Sequence, residues 1–338
     1  EKFKLVVRDF PNSQEALQAV TTAKLIYVDL GRVNEYAQWV DNLDFVEVTD
    51  AELDNATFES ADKQQLEGKL DAAIKGYEGY LNQFPNGLNA LRANFNLAQL
   101  YFGKGLKDKA LAHFKKVAEG KNEYAEQALT RVCEIYVGKN NYVAAIPYLE
   151  KLEATAQIQQ NLTFARSNLM KGYFEQSNYN KTMEYAGKVL ATSKIDDRIK
   201  SDAHIMIARS AIKTNNESRA KTAYAEVRKI ARGGLAAEAL YYDAYFKNKE
   251  GNYEASNAAA QNLAKDYPGY KEWSAKGLIV MAKNFYALED AFQATYILES
   301  VIANFGDYPA LVEEAKKELA LIKAKEAESN SSIKSEGN

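Results

Sequence analysis

The feature that most constrains this chain is a period. Taking Tyr101 as a register position, equivalent positions recur at Tyr27, Gln64, Tyr101, Tyr136, Tyr173, Ala211, Lys247 and Phe285, at intervals of 37, 37, 35, 37, 38, 36 and 38 residues. Nine residues after each of these come Tyr36, Ala73, Ala110, Ala145, Thr182, Ala220, Ser256 and Ala294, all small but the first. Four residues after each come Gly31, Gly68, Gly105, Asn140, Ser177, Asn215, Gly251 and Glu289, all turn formers but the last. A chain built this way grows by stacking, so the usual division into domains of about 150 residues does not govern its 338 residues.

Each track has a physical reason. A first helix, A, carries an apolar stripe that ends at the register position, and glycine, asparagine or serine then breaks it, because these residues tolerate left-handed turn geometry. A second helix, B, runs back antiparallel. A small residue early in B lets the two axes approach, and a large one four places on (Tyr77, Phe114, Leu149, Tyr224, Leu298) fills the groove one turn later. Three residues before the register position stand Ala61, Ala98, Cys133, Met170, Ala208, Ala244 and Ala282, mostly small, as a close crossing requires.

This combination of leucine, small residue, tyrosine, glycine, alanine and aromatic resembles the tetratricopeptide repeat. The proline that closes helix B in that family is matched by Pro85 in NQFPNG and Pro268 in KDYPGY, and Pro11 plays the same part for a leading helix. Gln64 and Lys247 depart from the aromatic or small residue at the register position. The resemblance implies an all-α fold: an α-solenoid, a right-handed superhelix of about eight helix-turn-helix repeats, with a leading half-repeat and a C-terminal capping helix. The expected layout is one solenoid over 1–326, with a leading helix at 1–11. Its repeats are expected near 13–48, 50–85, 88–122, 123–157, 160–194, 199–233, 236–268 and 271–306. A cap at 309–326 and a disordered polar tail at 327–338 follow. The connection NLDFVEVTDAELDNATF keeps the period, and Thr49 with Glu52 fits a capping box that restarts a helix near Asp50. The leading helix has no A helix before it, which gives the expectation that the chain is the C-terminal part of a longer array.

Composition narrows the function classes. The net charge is −3 with no basic stripe, so a nucleic-acid footprint is not indicated. No apolar run reaches the roughly 18 residues of a membrane span. The chain starts at Glu1 without an initiator methionine, so the lack of a visible leader says nothing about compartment. One cysteine excludes an intramolecular disulfide framework.

No cluster points to catalysis, a metal or a cofactor. His113 and His204 fall in different repeats, and His113, beside the core position Phe114, reads as a surface residue. Cys133 sits on a packing track and reads as a small buried hydrophobe. Asp196 and Asp197 precede a helix and read as a cap and a solvated charge. Gly233 and Gly234 precede a helix N-terminus but follow no strand, so a phosphate-loop reading is weak. The sequons at Asn55, Asn161, Asn216 and Asn330 carry no further signal.

In a tetratricopeptide stack helix A lines the concave surface, and residues nine, six and two places before the register position face the groove. That track yields Arg92, Phe95 and Gln99; Gln127, Thr130 and Glu134; Phe164, Ser167 and Lys171; Asp202, Ile205 and Arg209; Glu238, Tyr241 and Tyr245; Lys276, Ile279 and Lys283. Aromatic residues and arginines are typical peptide anchors, which makes Arg92, Phe95, Gln99, Glu134, Lys171, Arg209, Tyr241, Tyr245 and Lys283 the candidate partner-binding set. Family members that clamp a chaperone C-terminus pair a lysine at −6 with an asparagine at −2; no repeat here has that pair.

The FPNG and YPG closures and the segment DAAIKGYEGYLNQFPNGLNALRANFNLAQLYFGKG are similar to bacterial envelope members of the family, of the Tol–Pal coordinator and β-barrel-assembly lipoprotein types. The stretch from AAEALYYDAYFKNKEGNYEAS onward resembles the C-terminal part of large multi-repeat proteins of Bacteroidetes-type bacteria. These resemblances imply a non-catalytic scaffold that binds envelope proteins or peptides, in the periplasm or at the outer membrane. The alternative is an envelope protein that captures a glycan or small ligand; its known forms carry long insertions, whereas spacings here never exceed 38.

Overall fold

A computed structural model describes residues 1–336 of the chain, with side chains as far as residue 328. The described residues form eighteen α-helices and no strand. A short α1 (Lys2–Asp9) precedes α2 (Gln14–Asp29) and α3 (Val33–Val40), then α4 (Asp50–Leu66) and α5 (Leu70–Gln83). Next come α6 (Ala90–Gly103) with α7 (Lys107–Glu119), α8 (Ala125–Gly138) with α9 (Tyr142–Thr155), and α10 (Gln159–Glu175) with α11 (Tyr179–Leu190). The remainder pairs α12 (Asp197–Lys213) with α13 (Glu217–Ile230), α14 (Gly234–Lys249) with α15 (Tyr253–Asp266), and α16 (Lys271–Ala287) with α17 (Ala291–Asn304), and ends on α18 (Pro309–Glu336). The helices gather into two compact blocks, Glu1–Ala165 and Arg166–Asn338, the division falling within α10. Within each block every hairpin packs on the next, and A helices also touch the A helix that follows, as α2 touches α4 and α14 touches α16. The architecture is an all-α solenoid of stacked hairpins.

The turn inside each hairpin is one structure repeated eight times. The backbone carbonyl of every register residue, from Tyr27 to Phe285, accepts the N–H of the residue five places on, at 2.8–2.9 Å. The residue four places on is left-handed in all eight, with φ between +53° and +76°. This is the Schellman closure, which satisfies carbonyls that a helix end leaves open. Gly31, Gly68, Gly105 and Gly251 adopt the geometry freely; Asn140, Ser177, Asn215 and Glu289 adopt it against a side-chain penalty. In those last four repeats the next residue is Asn141, Asn178, Asn216 or Asp290. Its side chain caps helix B, accepting the N–H three places on at 2.9–3.3 Å. Where glycine fills the turn, the next residue makes no such cap. A cap contributes about as much as the left-handed residue costs, roughly 1 kcal/mol each.

The small-residue tracks form the core. The residue nine places after the register position is buried in every hairpin, Tyr36 included, and so are the residues three before it from Ala61 to Ala282. Tyr77, Phe114, Leu149, Tyr224 and Leu298 fill the grooves at 2% exposure or less. The capping box at Thr49 and Glu52 is present, and Leu43, Phe45, Val46 and Val48 pack the preceding connection onto a buried cluster that includes Val7, Ala16, Val20, Tyr36 and Val40. Two carboxylates not singled out from the sequence tie the connections between hairpins. Buried Asp54 accepts the Tyr80 hydroxyl and the Leu88 N–H, both at 2.7 Å. Glu126 accepts the N–H groups of Gln157 and Ile158 at 3.1 Å and the Asn161 amide at 2.8 Å.

At the C-terminus the expectation of a disordered tail from residue 327 is corrected. Helix α18 runs on to Glu336, because 327–336 holds neither glycine nor proline to stop it. Residues 337 and 338 lie outside the described residues.

Three outcomes follow from this packing. A Cβ added at Gly76 would lie 2.8 Å from the Ala61 Cβ, whereas one added at Gly79, on the same helix, meets nothing within 4 Å. Gly76→Ala is expected to lower stability by about 1–3 kcal/mol, and Gly79→Ala to raise it by up to about 1 kcal/mol, in urea titrations. Glu289→Gly is expected to stabilise the α16–α17 hairpin by roughly 1 kcal/mol, and Asp290→Ala to destabilise it by a similar amount. Burial acts to raise the Glu126 pKa, but the hydrogen bonds from Asn161 and the two backbone N–H groups outweigh it and hold the pKa below the ordinary value. The stability this adds is complete above the ordinary glutamate range and is lost as pH falls through the lowered folded value. The wild type should therefore exceed Glu126→Gln in urea midpoint at neutral pH, and the gap should close on acidification.

Candidate protein-binding surface

Helix A residues at the −9, −6 and −2 positions lie over the seams between successive A helices, and the structure shows them bonding to their neighbours. In the first block Arg92 pairs with Asp62 at 3.2 Å and stacks over Phe58, and Glu134 pairs with Arg131, which lies over Phe102. In the second, Lys171 meets Asp202 at 3.2 Å, and Lys283 meets Glu314 and Glu318 at 3.3 and 3.0 Å. Arg209 grips Glu238 through two bonds, at 2.9 and 2.6 Å. Glu238 is only 3% exposed and also accepts the Tyr224 hydroxyl, so this pair is internal to the stack. Its hydrogen bond to Glu238 raises the Arg209 pKa further above the ordinary arginine value. Gln99 lies half-buried on the same face.

One candidate is misplaced. Phe95 is buried, stacked on Tyr124 with ring centroids 4.6 Å apart and edge-on to Phe114. Ile205 and Ile279, also six places before their register positions, are buried too. The −6 position leans into the seam with the next hairpin, so an apolar residue there becomes core and not an anchor.

Tyr241 is the bulky exception on that track. It meets Tyr242 at 4.9 Å, Trp273 at 5.4 Å and Tyr245 at 6.2 Å, and Tyr242 stacks on Tyr224 at 4.1 Å. Tyr241, Tyr242, Tyr245 and Trp273 are all half-buried, forming one aromatic patch across α14 and α16. Lys276 lies 4.3 Å over the Trp273 ring and pairs with Glu272. Burial raises the Tyr241 and Tyr242 pKa values, so both phenols stay neutral at ordinary pH. Tyr242 and Trp273 were missed from sequence. The signal that finds such partners is a separation of 29–32 residues, seen in Arg92–Asp62, Lys171–Asp202, Arg209–Glu238, Lys283–Glu314 and Tyr241–Trp273.

The other singled-out residues are structural. His113 is half-buried and not on the surface as expected: its Nδ1 lies 2.8 Å from the Asn94 Oδ1 and its ring stacks on Tyr101. The Asn94 amide donates to the Ala90 carbonyl, which leaves Oδ1 to accept from His113, and burial lowers the histidine pKa. His204 is also lowered, chiefly by burial. Cys133 is fully buried, its thiol pushed up to about 12 chiefly by desolvation. Asp196 caps α12 through the Ile199 N–H at 2.8 Å. The α14 N-terminus at Gly233 is covered by Tyr270, whose hydroxyl would lie 2.8 Å from a Cβ there. Among the described residues no cluster of three or more His, Cys, Asp or Glu is placed to hold a metal ion, and no helix is long and apolar enough to cross a membrane.

No protein-family model matches the sequence, and no curated protein does. Among solved structures, the C-terminal part of a TPR repeat-containing protein from Cytophaga hutchinsonii is 17% identical, with a TM-score of 0.46 over 75% of this chain and 98% of its own. A tetratricopeptide repeat protein from Parabacteroides merdae is 14% identical, with a TM-score of 0.37 over 78% and 98%. A signal-transduction ATPase with a tetratricopeptide repeat sensor from Pyrococcus horikoshii is 16% identical, with a TM-score of 0.49; it is matched by 95% of this chain, which spans about half (52%) of that protein. At such identities and TM-scores the likeness says nothing of what the chain binds or does. The repeated Schellman hairpin and its buried small-residue tracks are those of a tetratricopeptide-repeat fold.

Proposed function

We propose that the chain is a non-catalytic scaffold of the bacterial cell envelope that binds partner proteins through the A-helix surface of its second block. The observation that carries this reading is the aromatic patch of Tyr241, Tyr242, Tyr245 and Trp273. Four large rings, packed against the core on one side, stay partly exposed on a surface where the neighbouring charged side chains are already paired with each other. Partly exposed tyrosine and tryptophan bring large contact area at low entropic cost, which is what a protein anchor needs. Arg209 and Glu238 act in this scheme as the support that fixes α12 against α14, while Lys276 and Lys283 supply the polar rim. The envelope assignment rests on the sequence resemblance of the FPNG and YPG repeats.

Crosslinking and pull-down from the native cell envelope, with the protein as bait, is the direct test. Tyr241→Ala with Tyr245→Ala is expected to reduce recovery of the captured envelope protein by about tenfold or more, as for loss of a hot spot of about 1.4 kcal/mol, with far-ultraviolet circular dichroism unchanged. Undiminished capture by the double variant would remove this surface as the binding site.

A further inference from the structure

A second feature of the same block lies on the other side of α14. Asp243 stands two residues from both Tyr241 and Tyr245, about 200° around the helix, so it faces away from those two rings, while Tyr242 between them stacks on Tyr224 at 4.1 Å. There α13, α14 and the turn into α15 enclose a cleft of about 560 Å³, with a floor that includes Ala225, Ala239 and Phe246. Its charges do not balance. Lys221, Arg228, Lys229 and Lys247 line it against only Asp243 and Glu250, an excess of two positive charges in a chain whose net charge is −3.

The pairing shows where the excess sits. Lys221 is matched by Glu250, and Lys229 by Glu226 outside the cleft. Arg228 and Lys247 are left to share one carboxylate, that of Asp243. The Arg228 guanidinium engages it through Nη1 alone, so its Nη2 and Nε donors stay open, and its side chain is 45% exposed. Two cations around one carboxylate, beside an apolar floor, have the form of a receptor short of one anion. A carboxylate from outside would complete a two-cation, two-anion square, and its backbone neighbours would lie along the floor.

We propose that this cleft is a docking site for an acidic segment of a partner protein, a glutamate or aspartate pairing with Arg228 and Lys247 while an adjacent apolar side chain rests against Ala225 and Phe246. The site opens on the opposite side of α14 from Tyr241 and shares only the buried rings of Tyr224 and Phe246 with the aromatic patch, and it does not depend on that reading. The charge complementarity selects an acidic peptide, and the apolar floor beside the cations separates it from a free inorganic anion.

The test uses the whole chain and a fluorescein-labelled octapeptide of alternating glutamate and leucine, with its glutamine counterpart, in fluorescence anisotropy at low salt. The glutamate peptide is expected to bind at least about tenfold more tightly than the glutamine one, and Arg228→Gln with Lys247→Gln to erase that difference. Asp243→Asn removes the internal competitor and keeps both cations, so it should tighten binding several-fold, a gain that a folding defect cannot mimic. Tyr241→Ala alone should leave the affinity unchanged, which separates this site from the aromatic surface; Tyr245 is kept because its ring packs edge-on against Phe246 at 5.3 Å. Equal binding of the two peptides, or no gain from Asp243→Asn, would overturn the proposal. So would displacement of the peptide by inorganic phosphate at the peptide's own working concentration, which would mark a simple anion site.

Discussion

Everything in this molecule hangs on a hydrogen bond that closes six residues. A carbonyl at the end of helix A receives the N–H five places on, and the chain reverses through one left-handed residue. That reversal sets helix B at a fixed angle and rotation, so the residue nine places after the carbonyl always points at helix A. The small side chains there are a consequence of the turn: a hairpin reversed so tightly brings the axes together, and only alanine, serine or threonine fits at most of the crossings. Tyr36 is the exception, and it sits at the short α3, where the hairpin is least regular.

The same economy of local contacts explains what the sequence made legible. Period, hairpin and turn are all short-range, and they stand out as three aligned tracks of residue type. Even Glu289, a poor turn former by composition, falls into the left-handed conformation because its place in the register leaves no alternative. What lay hidden depends on contacts between hairpins. The depth of the −6 position, which buries Phe95, is decided by Tyr124 at the start of the following helix. His113 looked exposed because its partner, Asn94, belongs to the other helix of its hairpin. Asp54 and Glu126 gave no signal because the groups they hold, backbone N–H donors together with the Tyr80 hydroxyl and the Asn161 amide, lie 26 or more residues away.

The candidate surface was read half correctly for a related reason. Charge type along helix A pointed to a polar face, and the face is there. Most of its ions are spent on one another across the seams, as Lys171 is on Asp202 and Lys283 on Glu314 and Glu318. Exposed pairs of this kind add little stability, roughly 0–1 kcal/mol each. Their effect is to leave the aromatic rings of α14 and α16 as the distinctive feature of that face. Tyr224 links this face to the interior, stacking on Tyr242 while its hydroxyl binds the buried Glu238.

The tight reversal also dictates where such a chain tolerates change in length. Adding one residue between a register carbonyl and helix B would swing every side chain of that helix by about 100° and bury its polar face. The connections from one hairpin to the next are free of this constraint, and there the number of residues does vary, from three after α9 and α13 to nine after α3. Drift in the interval between repeats, 35 to 38 residues, is therefore absorbed at one end of the hairpins while the other end keeps strict count. Insertions and grafted loops belong at that permissive end, on the side held by Asp54 and Glu126.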